Sequence, residues 1–317
     1  MLLGLGRSGT TFLAKLIDSA PEVLYRHEPD AVLPTDLPVY VDGDDLERHM
    51  AMAKDYVHAM ATCRHWRAAD HLPIFKKAFR GTFADAAYRL LVLSTKMARR
   101  CRLQPWESMP DLVDRDDGVR LHLIKSVSAL GRARLFAEAV PKMRMIHIIR
   151  HPCAVYASLR VGIDKGVMGS NVALKPLFSQ KQSQEYPFSL KQLENAPFEQ
   201  QVAYRWMLAN DKAAADLAGT SRYLRVVYED LCTDVDRVSR QVFEHLGLTT
   251  GVQTRRFIEE ISEKPGAGQR DVGYFRVKRP ITSAVDKWKS QLDAQTVDRI
   301  REIVSHSPLG RAYFDRP

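Results

Sequence analysis

The chain has 317 residues, of which 45% are hydrophobic and 27% are charged, a composition typical of globular proteins. No window approaches the roughly 18 uninterrupted apolar residues of a membrane-spanning helix, and the first residues lack the regions of a signal peptide. The formal net charge of +9 predicts anionic ligands such as nucleotides, phosphates or acidic glycans.

Short apolar strands alternate with helices along the chain. In chain order, the predicted elements are a strand at 1–5, a helix at 10–19, a strand at 23–26, a loop at 31–42, helices within 43–104, a strand at 121–125, a helix at 128–139, a strand at 144–149, a helix from Pro152, a mobile polar insertion at 164–187, a helix at 189–218, a strand at 223–227, two helices, a basic loop at 263–287 and a helix at 293–305. This alternation predicts an α/β fold with a parallel β-sheet and helices on both faces. No linker is evident, so we predict a single domain over residues 1–317.

The four cysteines lie far apart and include no CxxC pair; they are Cys63, Cys101, Cys153 and Cys232. Their spacing does not fit a zinc site, and a disulfide framework is not expected in a chain this long. We therefore predict free thiols, no metal and a reducing compartment, the cytoplasm. The Golgi lumen remains open if an N-terminal anchor precedes this sequence. Nothing in the sequence predicts an oligomeric state.

The first predicted strand runs into the glycine-rich turn Gly4–Thr11, and a helix follows. Backbone N–H groups converge at such a turn, and the helix dipole favours negative charge there. The turn therefore predicts an anion site. A purely structural role, in which the glycines only supply positive φ, stays open at this point.

Two nucleotide-binding patterns fit the glycines of this turn in part. Gly4, Gly6 and Gly9 match GxGxxG, and Glu28 follows 19 residues after Gly9, where an NAD(P)-binding Rossmann fold places its ribose-binding acid. The spacing of Gly4 and Gly9 also fits an ATPase P-loop, but Thr10 stands where that motif requires lysine. The Rossmann interpretation remains the alternative, although GxGxxG alone is weak evidence.

The run RSGTTFL, residues 7–13, resembles the 5′-phosphosulfate-binding loop of sulfotransferases that use 3′-phosphoadenosine-5′-phosphosulfate (PAPS). The longer stretch RSGTTFLAKLIDSAPEVLYRHEP resembles carbohydrate sulfotransferases, in which a strand ending in an aromatic-Glu-Pro triplet follows this P-loop-like turn. Here His27 replaces the aromatic residue. The resemblance implies that the loop binds the donor through Arg7, Ser8, Gly9, Thr10, Thr11 and Phe12.

A second segment, MIHIIRHPCAVYASL at residues 145–159, places an arginine at a strand end and a serine on the following helix. An arginine fork and a hydroxyl can bind one phosphate from two sides. The segment resembles the 3′-phosphate-binding motif of sulfotransferases, which implies this role for Arg150 and Ser158. His151 departs from the family, which often has aspartate there. PAPS carries two separate anionic groups, and the sequence offers two matching sites.

Two further stretches carry the resemblance towards the C-terminus. VVYEDLCTDVDRVSRQVFEHLGL, residues 226–248, resembles the YEDL segment of the family and implies that Tyr228 packs near the nucleotide. RVKRPITSAVDKWKSQL, residues 276–292, resembles the C-terminal basic loop and implies that Arg279 closes over the nucleotide. The sequence is thus identified as a member of the sulfotransferase family, with PAPS as co-substrate and 3′-phosphoadenosine-5′-phosphate (PAP) as product.

Sulfuryl transfer needs positioning and charge stabilisation more than covalent catalysis. Arg7 and the loop would stabilise the leaving nucleotide without a metal. The resemblance implies Glu28 as the general base that activates an acceptor hydroxyl. His27 is the competitor: strand neighbours point to opposite faces, so only one of the two can face the cleft. Lys125, which ends a predicted strand, would bind the leaving group or the acceptor.

The resemblance favours a carbohydrate or glycoconjugate acceptor, and a phenol, lipid or peptide tyrosine stays open. A basic glycan- or nucleic-acid-binding protein without activity is the non-enzymatic alternative. The sequence contains no nucleic-acid-binding module and no basic stripe interleaved with aromatic residues, so we predict no nucleic-acid partner.

Overall fold

The computed structural model describes residues 1–69, 71–104, 106–114, 118–119, 121–262 and 285–314. Its strands form a parallel sheet in the order β2-β3-β1-β4-β5. The strands are β1 (Leu2–Leu3), β2 (Val23–His27), β3 (Leu121–Ser126), β4 (Met145–Ile149) and β5 (Tyr223–Val227). All five lie where the sequence predicts strands, and the predicted α/β fold with a parallel sheet is confirmed.

Helices connect and cover the strands. Within the described residues they are α1 (Thr10–Asp18), α2 (Leu46–Thr62), α3 (Trp66–Ala69), α4 (Thr82–Arg100), α5 (Ala133–Ala139), α6 (Pro152–Asp164), α7 (Lys175–Phe178), α8 (Leu190–Glu194), α9 (Phe198–Asp216), α10 (Tyr228–Thr233), α11 (Val235–Leu246), α12 (Val252–Ser262), α13 (Ala294–Val304) and α14 (Pro308–Phe314). None of these helices has the length and apolar character needed to span a bilayer.

The strands bury side chains on both faces of the sheet. Leu2 and Ile148 belong to the apolar cluster formed with α1, α11 and α12. Their chain neighbours Leu3 and Ile149 belong to the cluster formed with α2, α5, α6, α9 and α13. Because successive strand residues point to opposite faces, this alternation places helices on both sides of the sheet. It also explains why the strands are mainly apolar.

The predicted helical stretch 43–104 is interrupted at residues 63–65 and 71–81. Pro73 lacks a backbone N–H and disfavours helix at the preceding residue. Buried lysines hold the interrupting segment against α1: the Nζ of Lys15 donates to the carbonyl oxygens of His71 and Pro73 at 2.9 and 3.1 Å. Lys77 Nζ lies 2.7 Å from Asp18 Oδ1. These long-range contacts give no local signal in the sequence.

Residues 164–187 are packed rather than being a mobile insertion. They contain α7 and a 3₁₀ helix at Lys181–Glu185, and Leu174 and Leu177 are buried in the core. The predicted helix at 189–218 is divided into α8 and α9 just before Pro197, as expected for a proline that disfavours helix at the residue before it. All four cysteines are free thiols.

Candidate active site

The carboxyl ends of the parallel strands meet at one edge of the sheet. The chain leaves β1 towards β2 and β3 on one side, and later adds β4 and β5 on the other. Such a reversal of strand order opens a crevice outside the carboxyl ends, where α/β proteins bind ligands. The residues that follow β1, β2, β3, β4 and β5 therefore share the candidate site.

The loop between β1 and α1 has the geometry of an anion site. Arg7 and Gly9 have left-handed φ values of 73° and 88°, which turn the chain sharply into α1. The N–H groups in the first turn of a helix have no intrahelical acceptor, and α1 has no acidic residue in its first turn. Ser8 is buried, and its Oγ has no hydrogen-bond partner among the described residues. The loop thus offers donors and a buried hydroxyl to an anion.

Arg150 and Ser158 lie directly against this loop. Arg150 Nη1 donates to the carbonyl oxygen of Arg7 at 3.0 Å, and Arg7 Nε donates to Ser158 Oγ at 3.0 Å. Trp206 Nε1 donates to the carbonyl oxygen of Arg150 at 2.8 Å and fixes its backbone. Two segments more than 140 residues apart therefore present two arginines at one crevice.

Tyr228 completes the wall between the two segments. The Arg150 guanidinium carbon lies 4.5 Å from the centroid of the Tyr228 ring, a cation–π distance. The ring also packs against Gly9, because a Cβ at that position would lie 2.2 Å from Tyr228 Cδ2. Burial, as the main cause, raises the pKa of Tyr228 well above its usual value, so Tyr228 is a neutral packing residue.

Gly9→Ala is expected to destabilise the protein by about 2–5 kcal/mol. A left-handed backbone costs alanine about 1–2 kcal/mol. Its methyl group would overlap the Tyr228 ring, which adds an overpacking cost of about 1–3 kcal/mol. Urea unfolding measures the loss. Gly6→Ala is the matched control, because a Cβ there meets no atom within 4 Å and φ is not positive. Equal stability of the two variants would contradict the packing of Tyr228 on Gly9.

The remaining predicted site residues of the loop lie at the start of α1. Thr10 is buried, and its Cγ2 would lie 2.8 Å from a Cβ at Gly4, so Gly4 permits this close approach. Thr11 and Phe12 are partly buried. Arg279 lies outside the described residues.

Glu28 and Lys125 form an ion pair at the ends of β2 and β3. His27 pairs with Lys125 in the sheet register, and Lys125 Nζ donates to Glu28 Oε1. The Lys125 side chain is 2% exposed and that of Glu28 is 29% exposed, so the carboxylate reaches solvent while the ammonium does not. Burial lowers the pKa of Lys125, and the Glu28 charge opposes that shift.

His27 lies beside Glu28 rather than on an opposite face. Glu28 has a left-handed φ of 45°, which ends the strand alternation on which the sequence prediction relied, and His27 Nε2 lies 3.8 Å from Glu28 Oε1. The His27 ring stacks on His71 at 3.6 Å, and its Nδ1 bonds the Tyr25 hydroxyl at 2.7 Å. Burial is the main cause that lowers the pKa of His27 far below its usual value, so the ring is neutral.

Sequence reasoning missed Asp30 and Ser126, which adjoin the ion pair. The Ser126 hydroxyl donates to Asp30 Oδ2, and Asp30 Oδ1 is buried with no hydrogen-bond partner among the described residues. Burial raises the pKa of Asp30. In the sequence, Ser126 directly follows Lys125 and Asp30 lies two residues after Glu28, and this proximity was the signal that could have identified them. In the described part of the chain no group of three or more His, Cys, Asp or Glu residues could hold a metal ion.

The sheet order contradicts the Rossmann alternative. In the dinucleotide-binding order the second strand lies beside the first, so the acid at its end reaches the ribose above the glycine-rich turn. Here β3 lies between β1 and β2, and the Glu28 carboxylate pairs with Lys125. The GxGxxG spacing is therefore not part of a dinucleotide-binding unit.

Comparisons with known proteins agree with one another on the family. The model of the family described as "Sulfotransferase family" matches residues 1–251. Carbohydrate sulfotransferase 2 of Mus musculus and of Homo sapiens are each 23% identical over 350 residues, with 98% of this chain and 64% of theirs covered. Carbohydrate sulfotransferase 5 of Mus musculus is 22% identical, covering 96% of this chain and 77% of its own. The chain thus spans somewhat less than two thirds of the length of the first two relatives.

Among solved structures, the sulfotransferase domain from the curacin biosynthetic pathway has 13% sequence identity and a TM-score of 0.44, with 96% of each chain covered.

Proposed function

Because this chain belongs to the sulfotransferase family, we propose that it transfers a sulfuryl group from PAPS to an acceptor hydroxyl, on a carbohydrate or glycoconjugate. The observation that carries the proposal is the contact of the β1–α1 loop with Arg150 and Ser158 through Arg7. A donor with a 5′-phosphosulfate and a 3′-phosphate needs two anion-binding elements within one molecule's reach, and this contact supplies them.

The residues present suit the donor chemically. The first-turn N–H groups of α1 and the buried Ser8 hydroxyl, which lacks a described partner, match a phosphosulfate that only accepts hydrogen bonds. Arg150 and Ser158 suit the 3′-phosphate, because a guanidinium fork and a hydroxyl donate to several oxygens of one group. The Tyr228 ring packs against the Arg150 guanidinium. Arg279 is the residue that the C-terminal basic loop is predicted to contribute.

In the proposed reaction the acceptor oxygen attacks the sulfur as the bond from sulfur to the bridging oxygen of PAP breaks. Glu28 takes the proton of the acceptor hydroxyl, and its partly exposed carboxylate is accessible for this role. Arg7 and the loop N–H groups stabilise the negative charge that develops on the departing PAP. Lys125 holds Glu28 in place and brings a positive charge to the transfer centre. The mechanism uses no metal ion.

Exposure and contacts explain why Glu28 rather than His27 serves as the base. The Glu28 carboxylate reaches solvent, whereas the His27 ring is stacked on His71 and its Nδ1 is bonded to the Tyr25 hydroxyl. Burial, as the main cause, lowers the pKa of the His27 imidazole far below its usual value, which weakens it as a proton acceptor. We therefore assign His27 to positioning, through its contacts with Tyr25 and His71.

The curated relatives support a carbohydrate acceptor by their names. The four free thiols, three of them buried, support a reducing compartment such as the cytoplasm.

Thermal stabilisation by PAP tests the donor site directly. At 100 times its Kd, a ligand adds about 2.7 kcal/mol, which shifts the melting temperature of a protein of this size by several degrees. We expect a shift with PAP that EDTA leaves unchanged, and none with NAD, NADP or ATP with magnesium. A shift with NAD or NADP and none with PAP would overturn the proposal.

A further inference from the structure

Helix α4 has two apolar faces, and only one of them is buried. Tyr88, Val92 and Thr95 face inwards, where Tyr88 and Val92 form a small cluster with Met109 that is separate from the two main cores. This inner face attaches α4 to the periphery of the molecule, beyond the edge strand β2. The opposite face of the helix packs against nothing in the described part of the chain.

Large apolar side chains line that outer face. They are Phe83 (92% exposed), Leu90 (69%), Leu93 (54%) and Met97 (62%), which we call the α4 stripe. Their spacings of seven, three and four residues place them on one side of a helix. The stripe extends about 21 Å along the axis at about 1.5 Å per residue. Leu103 and Trp106, which follow the helix, are also 64% and 67% exposed.

An exposed apolar stripe of this size marks an interaction surface. Elsewhere in the described residues the exposed large apolar side chains are isolated in sequence, as with Val252 on α12 and Met52 on α2. In α4 they recur with helical period, which is the pattern of a helix that buries two faces.

Cations run along one edge of the stripe. Arg89, Lys96 and Arg100 are spaced seven and four residues apart, so they share one flank between the stripe and the buried face. Arg99 and Arg102 add charge at the C-terminal end of α4. The single carboxylate between residues 82 and 106, Asp85, is largely buried and forms an ion pair with Arg89 at 2.9 Å. Cations therefore outnumber carboxylates along this flank of α4.

We propose that the α4 stripe docks on the surface of an anionic lipid bilayer. Apolar side chains on one face and Lys and Arg on the adjoining one are the features of a helix that lies in the membrane interface, where the apolar residues enter the acyl boundary and the cations meet anionic headgroups. Charge complementarity decides the occupant. A second copy of this chain, packed through an antiparallel pair of α4 helices, would bring the same cationic flank beside itself in a twofold contact, which like-charge repulsion disfavours.

This inference goes beyond sulfuryl transfer, and its test needs neither donor nor acceptor. Co-sedimentation compares vesicles of pure phosphatidylcholine with vesicles that contain about one third phosphatidylserine. We expect the full chain to bind the anionic vesicles at least tenfold more tightly than the neutral ones. Binding should weaken as salt is raised, because salt screens the headgroup charge.

Two variants separate the apolar and the charged contributions. Leu90→Ser with Met97→Ser is expected to reduce binding to anionic vesicles at least tenfold, and Lys96→Glu with Arg100→Glu to remove the preference for phosphatidylserine. Val252→Ser is the matched control, since Val252 is 75% exposed and lies on α12; it should bind like the unmodified chain. Four of the five sites are exposed and the fifth, Lys96, is partly exposed; circular dichroism and melting temperature check the fold of each variant.

Three results would overturn the proposal. The first is an unmodified chain that binds neither kind of vesicle. The second is a folded serine variant that binds anionic vesicles as the unmodified chain does. If the serine variant does not fold, the same result with the folded charge variant is decisive. The third is a dimer in light scattering that the serine substitutions dissociate, without vesicle binding, which would assign the stripe to a second copy of the chain.

Discussion

Arg150→Ala is expected to lower PAP affinity about a hundredfold and to eliminate most of the thermal shift that PAP produces. A charge-assisted hydrogen bond contributes about 1.5–3 kcal/mol, and about 1.4 kcal/mol corresponds to a tenfold change in Kd. Arg150 can present more than one such donor to a phosphate. Isothermal titration with PAP measures the loss.

Two further variants show whether the effect is local. Arg150→Lys keeps the charge but loses the fork, so it should retain affinity between that of the alanine variant and that of the unmodified chain. Arg222→Ala is a matched control, because Arg222 precedes β5 at the other edge of the sheet and donates to the carbonyl oxygen of Ala137 at 2.8 Å. It should lower stability while PAP affinity stays within about twofold, which is under 0.5 kcal/mol. Unchanged affinity in Arg150→Ala would remove Arg150 from the donor site.

The strands could be predicted from the sequence because their signal is local. Residues such as Ile148 and Ile149 are buried on opposite faces, and a strand covered on both sides reads as an apolar run in any context. Pro73 marks a break in the helical stretch, but the packing of residues 71–81 against α1 could not be predicted in the same way. Lys15, Asp18 and Lys77 are polar residues that the fold buries as one ionic group, and only their distant partners make that burial favourable.

The site shows the same division between local and distant information. The turn at Gly4–Thr11 and the segment at 145–159 each carry a recognisable pattern, so their residues could be proposed separately. The hydrogen bond from Arg7 to Ser158 spans 151 residues and the ion pair between Lys125 and Glu28 spans 97, so neither was visible before the sheet was assembled. Asp30 carries no motif at all, and only its burial distinguishes it from a surface acid.

Glu28→Gln is expected to lower turnover about a thousandfold while PAP affinity stays within about threefold. A general base contributes about 10²–10⁴ in rate, and glutamine preserves the shape of the side chain and can still accept the hydrogen bond of Lys125. The amide cannot take the acceptor proton. Transfer of labelled sulfate from PAPS to a carbohydrate acceptor measures turnover, and titration with PAP measures donor binding in the same preparation.

Stability has to be measured alongside, because Glu28→Gln leaves the buried Lys125 ammonium without its counter-charge. Removing one partner of a buried ion pair is destabilising, so the melting temperature should fall while the variant stays folded. Glu138→Gln is the matched control: Glu138 is paired with Arg134 on the exposed side of α5, and its loss should alter neither turnover nor PAP affinity.

The competing base, His27, makes the opposite prediction. If the imidazole took the proton, His27→Asn would lower turnover as far as Glu28→Gln is expected to, and Glu28→Gln would remain near normal. We expect His27→Asn to lower turnover only about tenfold, through lost contacts with Tyr25 and His71, because the His27 ring is held in those contacts and is less exposed than the Glu28 carboxylate. Near-normal transfer in Glu28→Gln would therefore assign proton abstraction to a group other than Glu28.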